Sequence, residues 1–323
     1  MNAHRFAYFF IGFYILVTFT ALFRFGILSR VRYSYMDSEF PFWMQQKDYV
    51  HTKGENQEIL FLGDSKMKAG VIPSQFCENA YNLAVGGGTS LEMYYSLKDY
   101  MEYHPKPAKI FIGFGGLHYQ YEDCLKSRNH YFHFLPLKKE FEAQIASYKL
   151  NQLTFKQLQN ELIDSTKYFL LFPQKYSAAC INSKFGRGDF NHTAYKKTAE
   201  SRGQMFFGMA EQAGGPGFEA YASLEICPRI DYYLHKIIAL CNENQIPVYI
   251  VQPPINDNTW EKLTENGHYP AFQSYLKNLA KETHIQVEWD IPHYPPEFFG
   301  DTAHLNARGA ERFTAELKEK YHH

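Results

Sequence analysis

Short apolar runs alternate with amphipathic stretches along most of this chain. The segments that we predict as strands are residues 58–62, 80–85, 110–116 including a turn, 247–251 and 285–289, and the first of them contains the unbroken apolar run 59–62. An unbroken apolar run flanked by polar residues is typical of a strand that is buried on both faces, as in a parallel sheet. Helical periodicity is found over 89–103, 229–242 and 272–283, and again after Asn306. This alternation predicts an α/β domain whose parallel sheet is covered by helices on both faces.

The beginning of the chain differs from the rest, because residues 6–23 contain no charged side chain. As a helix, this segment nearly spans the hydrocarbon core of a bilayer, which is about 30 Å thick. We therefore predict an uncleaved membrane anchor over residues 1–32. A cleaved signal peptide and a buried soluble helix are the alternatives. The first lacks a small-residue cleavage site after the apolar stretch, and the second lacks a polar face.

Two further segments interrupt the alternation. Residues 33–56 are polar and aromatic, and we expect them to form a linker to an α/β domain over 57–323. Between about 120 and 225 the strand pattern is absent, and mixed three- and four-residue spacing predicts helices over 137–172. Glycine-rich loops follow these helices. We expect a helical and irregular insertion, and insertions of this length often form lids or binding grooves.

Composition narrows the range of functions. The 323 residues suffice for a large core, and a net charge of −1 gives no electrostatic reason to expect a nucleic-acid partner. The five cysteines are scattered and include no C-x-x-C pair, so they indicate neither a zinc site nor a dense disulfide framework. One disulfide remains open as a possibility. We expect no metal ion and no cofactor.

The first motif with chemical meaning is Gly63-Asp64-Ser65, which directly follows the first apolar run. Open α/β sheets bind their ligands at the carboxyl ends of the strands. Ser65 is therefore a candidate nucleophile on a strand-end turn. The alternative is that Ser65 caps the next helix, since serine and aspartate are both common N-cap residues.

A second motif, Asp301-Thr302-Ala303-His304, lies shortly before the last predicted helix. A serine hydroxyl is a poor nucleophile until a base takes its proton, and histidine is suited to that task near neutral pH. Asp301 can reach His304 across one turn and fix its tautomer. Ser65, His304 and Asp301 are therefore predicted to form a catalytic triad.

A glycine turn, Gly86-Gly87-Gly88, follows the second predicted strand. Three glycines allow a left-handed backbone and expose amide groups, an arrangement that suits binding of an anion. Thr89 and Glu92 then fit a capping box at the start of the next helix. A flexible connection between strand and helix is the alternative explanation of the glycines.

The order of these motifs, with Gly-Asp-Ser first, a glycine turn second and Asp-x-x-His last, resembles the SGNH (GDSL-type) hydrolase superfamily. The resemblance covers most of the chain after residue 55. It implies a flavodoxin-like, three-layer fold with a five-stranded parallel sheet. It also implies that Gly87, with Gly86 and Gly88 as alternates, donates an amide hydrogen bond to the oxyanion.

The chain departs from the family at the turn after the third strand. Hydrolases of the family have Gly-x-Asn-Asp there, and the Asn supplies a third oxyanion donor, whereas this chain has Gly115 at that position. Loss of one such donor typically slows the reaction roughly a hundredfold or more. The backbone amide of Gly115 or Gly116, or the side chain of His118, is a candidate replacement.

Anchored proteins of this superfamily that lack the Asn resemble those that complete the acylation of extracellular polymers. The resemblance therefore implies an O-acyl transferase for a cell-envelope polysaccharide, with acetyl as the expected group and an acyl-Ser65 intermediate. A multi-spanning membrane O-acyltransferase is the expected partner. The alternatives are a membrane-anchored carbohydrate esterase or deacetylase, and a non-catalytic glycan-binding subunit of such a complex.

The orientation of the anchor is predicted differently by two arguments. Arg5 precedes the apolar segment, whereas Arg24, Arg30 and Arg32 follow it, so the positive-inside rule places the following domain in the cytoplasm. The resemblance instead implies an extracytoplasmic, periplasmic domain, and this is the location that we expect.

Overall fold

The computed structural model describes residues 3–28, 37–54, 57–121, 128–170, 182–184, 186–212, 215–218 and 224–321. Within these residues the strands are β1 (Ile59–Gly63), β2 (Ala80–Asn82), β3 (Lys109–Gly113), β4 (Val248–Ile250), β5 (Ile255–Asn256), β6 (Gln286–Val287) and β7 (His293–Tyr294). The main sheet is five-stranded, and the α/β class with a parallel sheet is confirmed.

The order of the main sheet is β2-β1-β3-β4-β6, and every neighbouring pair is parallel. The chain therefore moves from β1 to one side and then returns to build the other side. The carboxyl ends of β1 and β3 lie on either side of this switch point, which is where open α/β sheets bind their ligands. β5 and β7 pair separately in a small second sheet that the sequence pattern does not predict.

The two central strands end side by side, with Gly63 opposite Gly113. A Cβ atom on Gly63 would lie 2.0 Å from the carbonyl oxygen of Gly113 and 2.6 Å from the side chain of Met67. Glycine is thus required at position 63, because the backbone of β3 and the side chain of Met67 in α3 leave no space for a Cβ atom.

The residues of β1 are buried on both faces of the sheet, as the sequence predicts. Leu60 and Leu62 belong to one hydrophobic cluster, and Ile59 and Phe61 belong to another. This division follows from the alternation of side chains along a strand. Helices cover both clusters, so the sheet is the middle layer of three.

The helices within the described residues are bounded as follows. They are α1 (Ala3–Leu28), α2 (Phe40–His51), α3 (Ser65–Gly70), α4 (Pro73–Phe76), α5 (Ser90–Tyr103), α6 (His130–Phe132), α7 (Leu137–Lys149), α8 (Phe155–Leu170), α9 (Gly188–Glu200), α10 (Pro228–Glu243), α11 (Asp257–Glu265), α12 (His268–Thr283) and α13 (Ala307–Tyr321). Short 3₁₀ segments lie at Gly116–Tyr119 and Pro296–Phe298.

The predicted linker over 33–56 contains α2, which packs into the domain instead of bridging to it. Trp43 of α2 is fully buried, and its ring makes edge contacts with Phe132 and Phe134. These two rings come from the insertion, so α2 and the insertion share a hydrophobic cluster. The linker prediction is corrected for this helix, because the apolar side chains of α2 are used in the core.

Parts of the predicted anchor, linker and insertion lie outside the described residues, namely 1–2, 29–36, 55–56, 122–127, 171–181, 185, 213–214 and 219–223. Within the described insertion, the helices predicted over 137–172 are found as α7 and α8. Within the described residues, no helix combines the length and the apolar character needed to cross a membrane. The predicted anchor over 1–32 is therefore not supported by the structure.

Lys68 of α3 is a fully buried lysine directly beneath the strand-end turn. Its Nζ donates hydrogen bonds to the carbonyl oxygens of Ala84 at 2.9 Å and Gly203 at 2.7 Å. Burial lowers the pKa of Lys68 to about 7, because the charged form is poorly solvated there. With this pKa, the amine loses its charge as the pH rises through neutrality. Its N–H groups donate to the two carbonyl oxygens in either state.

This lysine is expected to make the protein more stable as the pH rises from 7 towards 10. In that range the unfolded state binds a proton at Lys68 that the folded state has lost, so the free energy of unfolding increases by up to about 1.4 kcal/mol per pH unit. Denaturant unfolding at stepped pH, compared with Lys68→Met, measures this slope. Lys318→Met is the control, because Lys318 also bonds a carbonyl oxygen but is exposed. Equal slopes in Lys68→Met and the unmodified protein would contradict the prediction.

Candidate active site

Ser65 is the first residue of α3 and directly follows the strand end at Gly63 and the N-cap Asp64. The side chain of Asp64 caps this helix, since its Oδ1 accepts from the backbone N–H of Lys66 at 2.8 Å and of Met67 at 3.4 Å. The alternative in which Ser65 is the cap is therefore wrong. Because aspartate serves as the cap, the serine hydroxyl is left to make contacts outside the helix.

The loop before α13 holds the second motif in a fixed turn. Asp301 Oδ1 accepts from the backbone N–H of Ala303 at 2.8 Å and of His304 at 2.7 Å. Gly300 N–H donates to the carbonyl oxygen of His304 at 2.9 Å, which closes the loop. Asn306 then caps α13 by accepting from the N–H of Gly309 at 3.1 Å.

The fold brings the three predicted triad residues together, although Ser65 lies 239 positions from His304 in the chain. His304 Nε2 lies 2.7 Å from Ser65 Oγ, and His304 Nδ1 lies 2.8 Å from Asp301 Oδ2. With the Nδ1–H donated to the carboxylate, Nε2 is left with a lone pair facing the serine hydroxyl. This arrangement can remove the serine proton.

The electrostatic state of Asp301 suits that role. Partial burial alone would raise the pKa of Asp301, but the hydrogen bond and charge of His304 and two backbone N–H groups outweigh it. The pKa of Asp301 is therefore held below its ordinary value. The carboxylate stays ionised at neutral pH and favours the Nδ1–H tautomer of His304.

The glycine turn after β2 lies against the end of β1. Val85 N–H donates to the carbonyl oxygen of Gly63 at 3.1 Å, and Gly88 N–H donates to that of Val85 at 3.0 Å. The Gly88 amide is thus used within the turn, which removes it as an alternate oxyanion donor. Gly87 has a φ of 69°, so the left-handed conformation predicted for the glycines is found at this residue. The carbonyl oxygen of Gly86 accepts from Arg128 Nη1.

The capping box predicted after this turn is confirmed. Thr89 N–H donates to Glu92 Oε2 at 2.8 Å, and the Thr89 side chain accepts from the first turn of α5. The cap fixes the point at which the glycine turn ends.

Two of the candidate replacements for the missing Asn, Gly115 and His118, contact Asp64. Gly115 N–H donates to Asp64 Oδ2 at 2.8 Å, and His118 Nδ1 lies 2.6 Å from the same oxygen. The predicted use of the Gly115 amide as an oxyanion donor is therefore wrong, because that N–H is directed to a buried carboxylate. His118 remains a candidate, held against Asp64 at the switch point.

Asp64 is completely buried. Burial would raise its pKa, but the hydrogen bond and charge of His118 and the Gly115 amide hold the pKa of Asp64 below its ordinary value. Asp64 thus joins three elements at the site: the first turn of α3, the turn after β3 and the 3₁₀ segment that carries His118. In the sequence, Asp64 is marked only by its suitability as a helix cap, and the contacts with Gly115 and His118 arise from the fold.

The insertion contributes two contacts that sequence analysis does not predict. The ring of Phe207 packs on the ring of His304, with centroids 4.9 Å apart. Arg128 donates from Nη1 to the carbonyl oxygen of Gly86 at 2.5 Å. Both residues lie in a region without strand or helix periodicity, so no sequence pattern marks them.

The segment around Phe207 bonds to α3, which carries Ser65, and to the loop that carries Asp301 and His304. Met205 N–H donates to the carbonyl oxygen of Lys68 at 3.2 Å, and Ala210 N–H donates to that of Gly300 at 3.0 Å. Gly208 lies so close to Gly300 that a Cβ atom there would be 2.3 Å from the Gly300 carbonyl carbon. This segment therefore joins α3 to the loop before α13.

Two further polar residues near strand ends, Gln252 and Asp290, bond to groups other than the triad. Gln252, at the end of β4, is buried and donates to the carbonyl oxygen of Glu288 at 3.0 Å. Asp290, an acid near the end of β6, accepts from Tyr269 at 3.0 Å and from Gln273 at 2.6 Å. Asp301 is therefore the acid that contacts His304 in the described structure.

Comparisons with known proteins leave the family open. A model of an uncharacterised protein family matches residues 224–323, the part of the chain that carries Asp301 and His304. No curated protein matches the sequence. A similar solved structure is described as that of a "putative platelet activating factor from Streptococcus pneumonia", with 12% identity over 88% of this chain and 92% of the other, at a TM-score of 0.37. Likeness at this level defines neither the fold nor the function.

Proposed function

We propose that this chain is an SGNH-like serine acyltransferase that transfers an acyl group, with acetyl as the expected group, to a hydroxyl of a cell-envelope polysaccharide. The observation that supports the reaction class is the hydrogen-bonded line from Ser65 Oγ through His304 to Asp301. A neutral imidazole held in this tautomer is the arrangement that activates a serine.

The proposed reaction has two halves. In the first, His304 takes the proton of Ser65 Oγ, the oxygen attacks the acyl carbon of the donor ester, and the leaving alkoxide departs with that proton. In the second, His304 takes the proton of an acceptor hydroxyl, whose oxygen attacks the acyl-serine, and Ser65 recovers its proton from His304. Water in place of the acceptor makes the same machinery an esterase, which is the second candidate.

Donors for the oxyanion are proposed from the backbone. In related chemistry the N–H of the nucleophile and that of a neighbouring glycine serve this purpose. Ser65 is the first residue of α3, where helix N–H groups lack an intrahelical acceptor, and Gly87 lies in the adjacent turn. Gly115 in place of the family Asn is the observation that favours the third candidate, a non-catalytic glycan-binding subunit.

The membrane anchor, the periplasmic location and the multi-spanning O-acyltransferase partner stay predictions from the sequence. The choice of a polysaccharide hydroxyl as acceptor also comes from the resemblance. The chemistry of Ser65 is independent of all four, so it can be tested separately.

The first test is covalent trapping. We expect p-nitrophenyl acetate to leave one acetyl group on Ser65, located by peptide mass spectrometry, and we expect Ser65→Ala to abolish it. Ser274→Ala is the control, since Ser274 is an exposed helix residue that bonds its own backbone. Absence of acetylation in the unmodified protein, with glycan binding retained, would favour the non-catalytic subunit.

The second test separates transfer from hydrolysis. If the protein is a transferase, release of p-nitrophenol rises with the concentration of an oligosaccharide acceptor, and the acetyl group is recovered on the sugar. If release is unchanged by acceptor and only acetate forms, the esterase is the correct assignment.

A further inference from the structure

The guanidinium of Arg128 bridges the glycine turn and the start of α2. Nη1 donates to the carbonyl oxygen of Gly86 at 2.5 Å, and Nη2 lies 2.6 Å from Glu39 Oε1. The side chain is mostly buried, and its Cζ lies 6.0 Å from the centroid of the Trp43 ring. Arginine suits such a bridge, because its planar fork can serve two acceptors in fixed directions.

The residue after Arg128 is fixed equally well. Asn129 is fully buried, and its Nδ2 donates to Glu92 Oε1 at 2.5 Å. Glu92 is the acidic member of the capping box that ends the glycine turn. Adjacent residues of the insertion therefore hold the turn at both of its ends, Arg128 at Gly86 and Asn129 at the start of α5.

A hydrogen bond to the Gly86 carbonyl also orients the next amide. The carbonyl of Gly86 and the N–H of Gly87 belong to one planar peptide group, and in a trans peptide they point in opposite directions. The described chain contains no cis peptide. Fixing the carbonyl towards Arg128 therefore fixes the Gly87 N–H towards the other side of the turn.

The turn is also close to the reacting groups. A Cβ atom on Gly86 would lie 3.6 Å from the ring of Phe207, and that ring packs on His304. On its other side the turn contacts the end of β1, since a Cβ atom on Gly88 would lie 3.2 Å from the Gly63 carbonyl oxygen. The Gly86–Gly87 peptide therefore lies between Phe207, which packs on His304, and the end of β1, which precedes Ser65.

The charge of Arg128 adds to the effect of direction. A cation bonded to a peptide carbonyl polarises the peptide group, and hydrogen bonds in such a chain strengthen one another. The N–H on the far side becomes a better donor to a developing negative charge. A donor that is fixed before the reaction lowers the barrier most, because nothing has to reorganise during the step.

We propose that Arg128, held by Glu39, is a positioning residue that orients the Gly86–Gly87 peptide so that its N–H faces the oxyanion of the acyl-transfer reaction. This inference rests on the proposed acyl transfer at Ser65. It assigns to the insertion a part of the oxyanion site that the missing Asn would otherwise supply.

The test compares the kinetics of Ser65 acylation by p-nitrophenyl acetate in three variants. Arg128→Ala is expected to lower kcat about 10- to 100-fold with KM changed by less than about twofold, since the donor acts on the transition state. Arg128→Lys keeps the charge but loses the fork, and Glu39→Gln keeps a hydrogen-bond acceptor, so we expect smaller losses in both. Arg187→Ala is the control, because Arg187 lies in the same insertion and packs on Phe190.

Chemical rescue separates positioning from folding. Millimolar methylguanidinium is expected to restore part of kcat in Arg128→Ala, whereas methylurea of the same shape without charge is not. Thermal unfolding measured in parallel reports any loss of fold. A variant that unfolds early, shows no rescue and keeps an unchanged kcat in its folded fraction would overturn the proposal.

The failure of this inference can be told apart from failure of the proposed function. If the unmodified protein does not acetylate Ser65, the acyl-transfer proposal is wrong. If Ser65 is acetylated and Arg128→Ala acetylates at the unmodified rate, the triad stands and the role of Arg128 is wrong.

Discussion

Replacing His304 with alanine is expected to slow the acylation of Ser65 by roughly 10⁴- to 10⁶-fold. His304 Nε2 lies 2.7 Å from Ser65 Oγ and is the base that contacts the hydroxyl in the described structure. Without it, the serine must lose its proton to water while it attacks. Stopped-flow release of p-nitrophenol, together with mass spectrometry of the acetylated peptide, measures this loss.

A matched control is available on the same domain. His293 also pairs with an aspartate, since its Nδ1 lies 2.6 Å from Asp257 Oδ1, but it stacks on Trp260. His293→Ala is expected to acylate Ser65 at the unmodified rate. A His304→Ala protein that keeps its fold and acylates within about tenfold of the unmodified rate would exclude His304 as the base.

The parts of the fold that the sequence predicts are those with strong local patterns. An apolar run predicts the first strand, and Thr89 and Glu92 at capping-box spacing predict the start of α5. The second sheet was not visible, because β5 and β7 have two residues each and no periodicity can develop over that length. The helix in the predicted linker was missed for a related reason, since its apolar residues find their partners only in the insertion.

The site divides in the same way. Ser65, Asp301 and His304 occur in short motifs, so the sequence alone predicts them as site residues. The partners of Asp64 and Gly86 could not be nominated, since Gly115 is 51 positions from Asp64 and Arg128 is 42 positions from Gly86. Such contacts follow from the packing of the insertion and the switch point, which local periodicity does not describe.

Replacing Asp64 with asparagine is expected to lower the free energy of unfolding by about 2–4 kcal/mol at neutral pH. Asparagine can keep the cap on Lys66 and Met67 through its oxygen. Its amide group would then face the Gly115 N–H, so two donors would meet in a fully buried place. His118 would also lose its carboxylate partner. Urea unfolding of the two proteins at pH 7 measures the difference.

The pH dependence of this difference identifies its cause. The pKa of Asp64 is lower in the folded protein than its ordinary value of 3.8, so its stabilising contribution is complete above 3.8 and is lost as the pH falls through the folded value. The gap between the unmodified protein and Asp64→Asn is therefore expected to narrow in acid. Asp290→Asn is the control, because Asp290 is exposed. A gap for Asp64→Asn that stays constant from neutral pH into acid would show that charge at Asp64 is not what joins α3 to the end of β3.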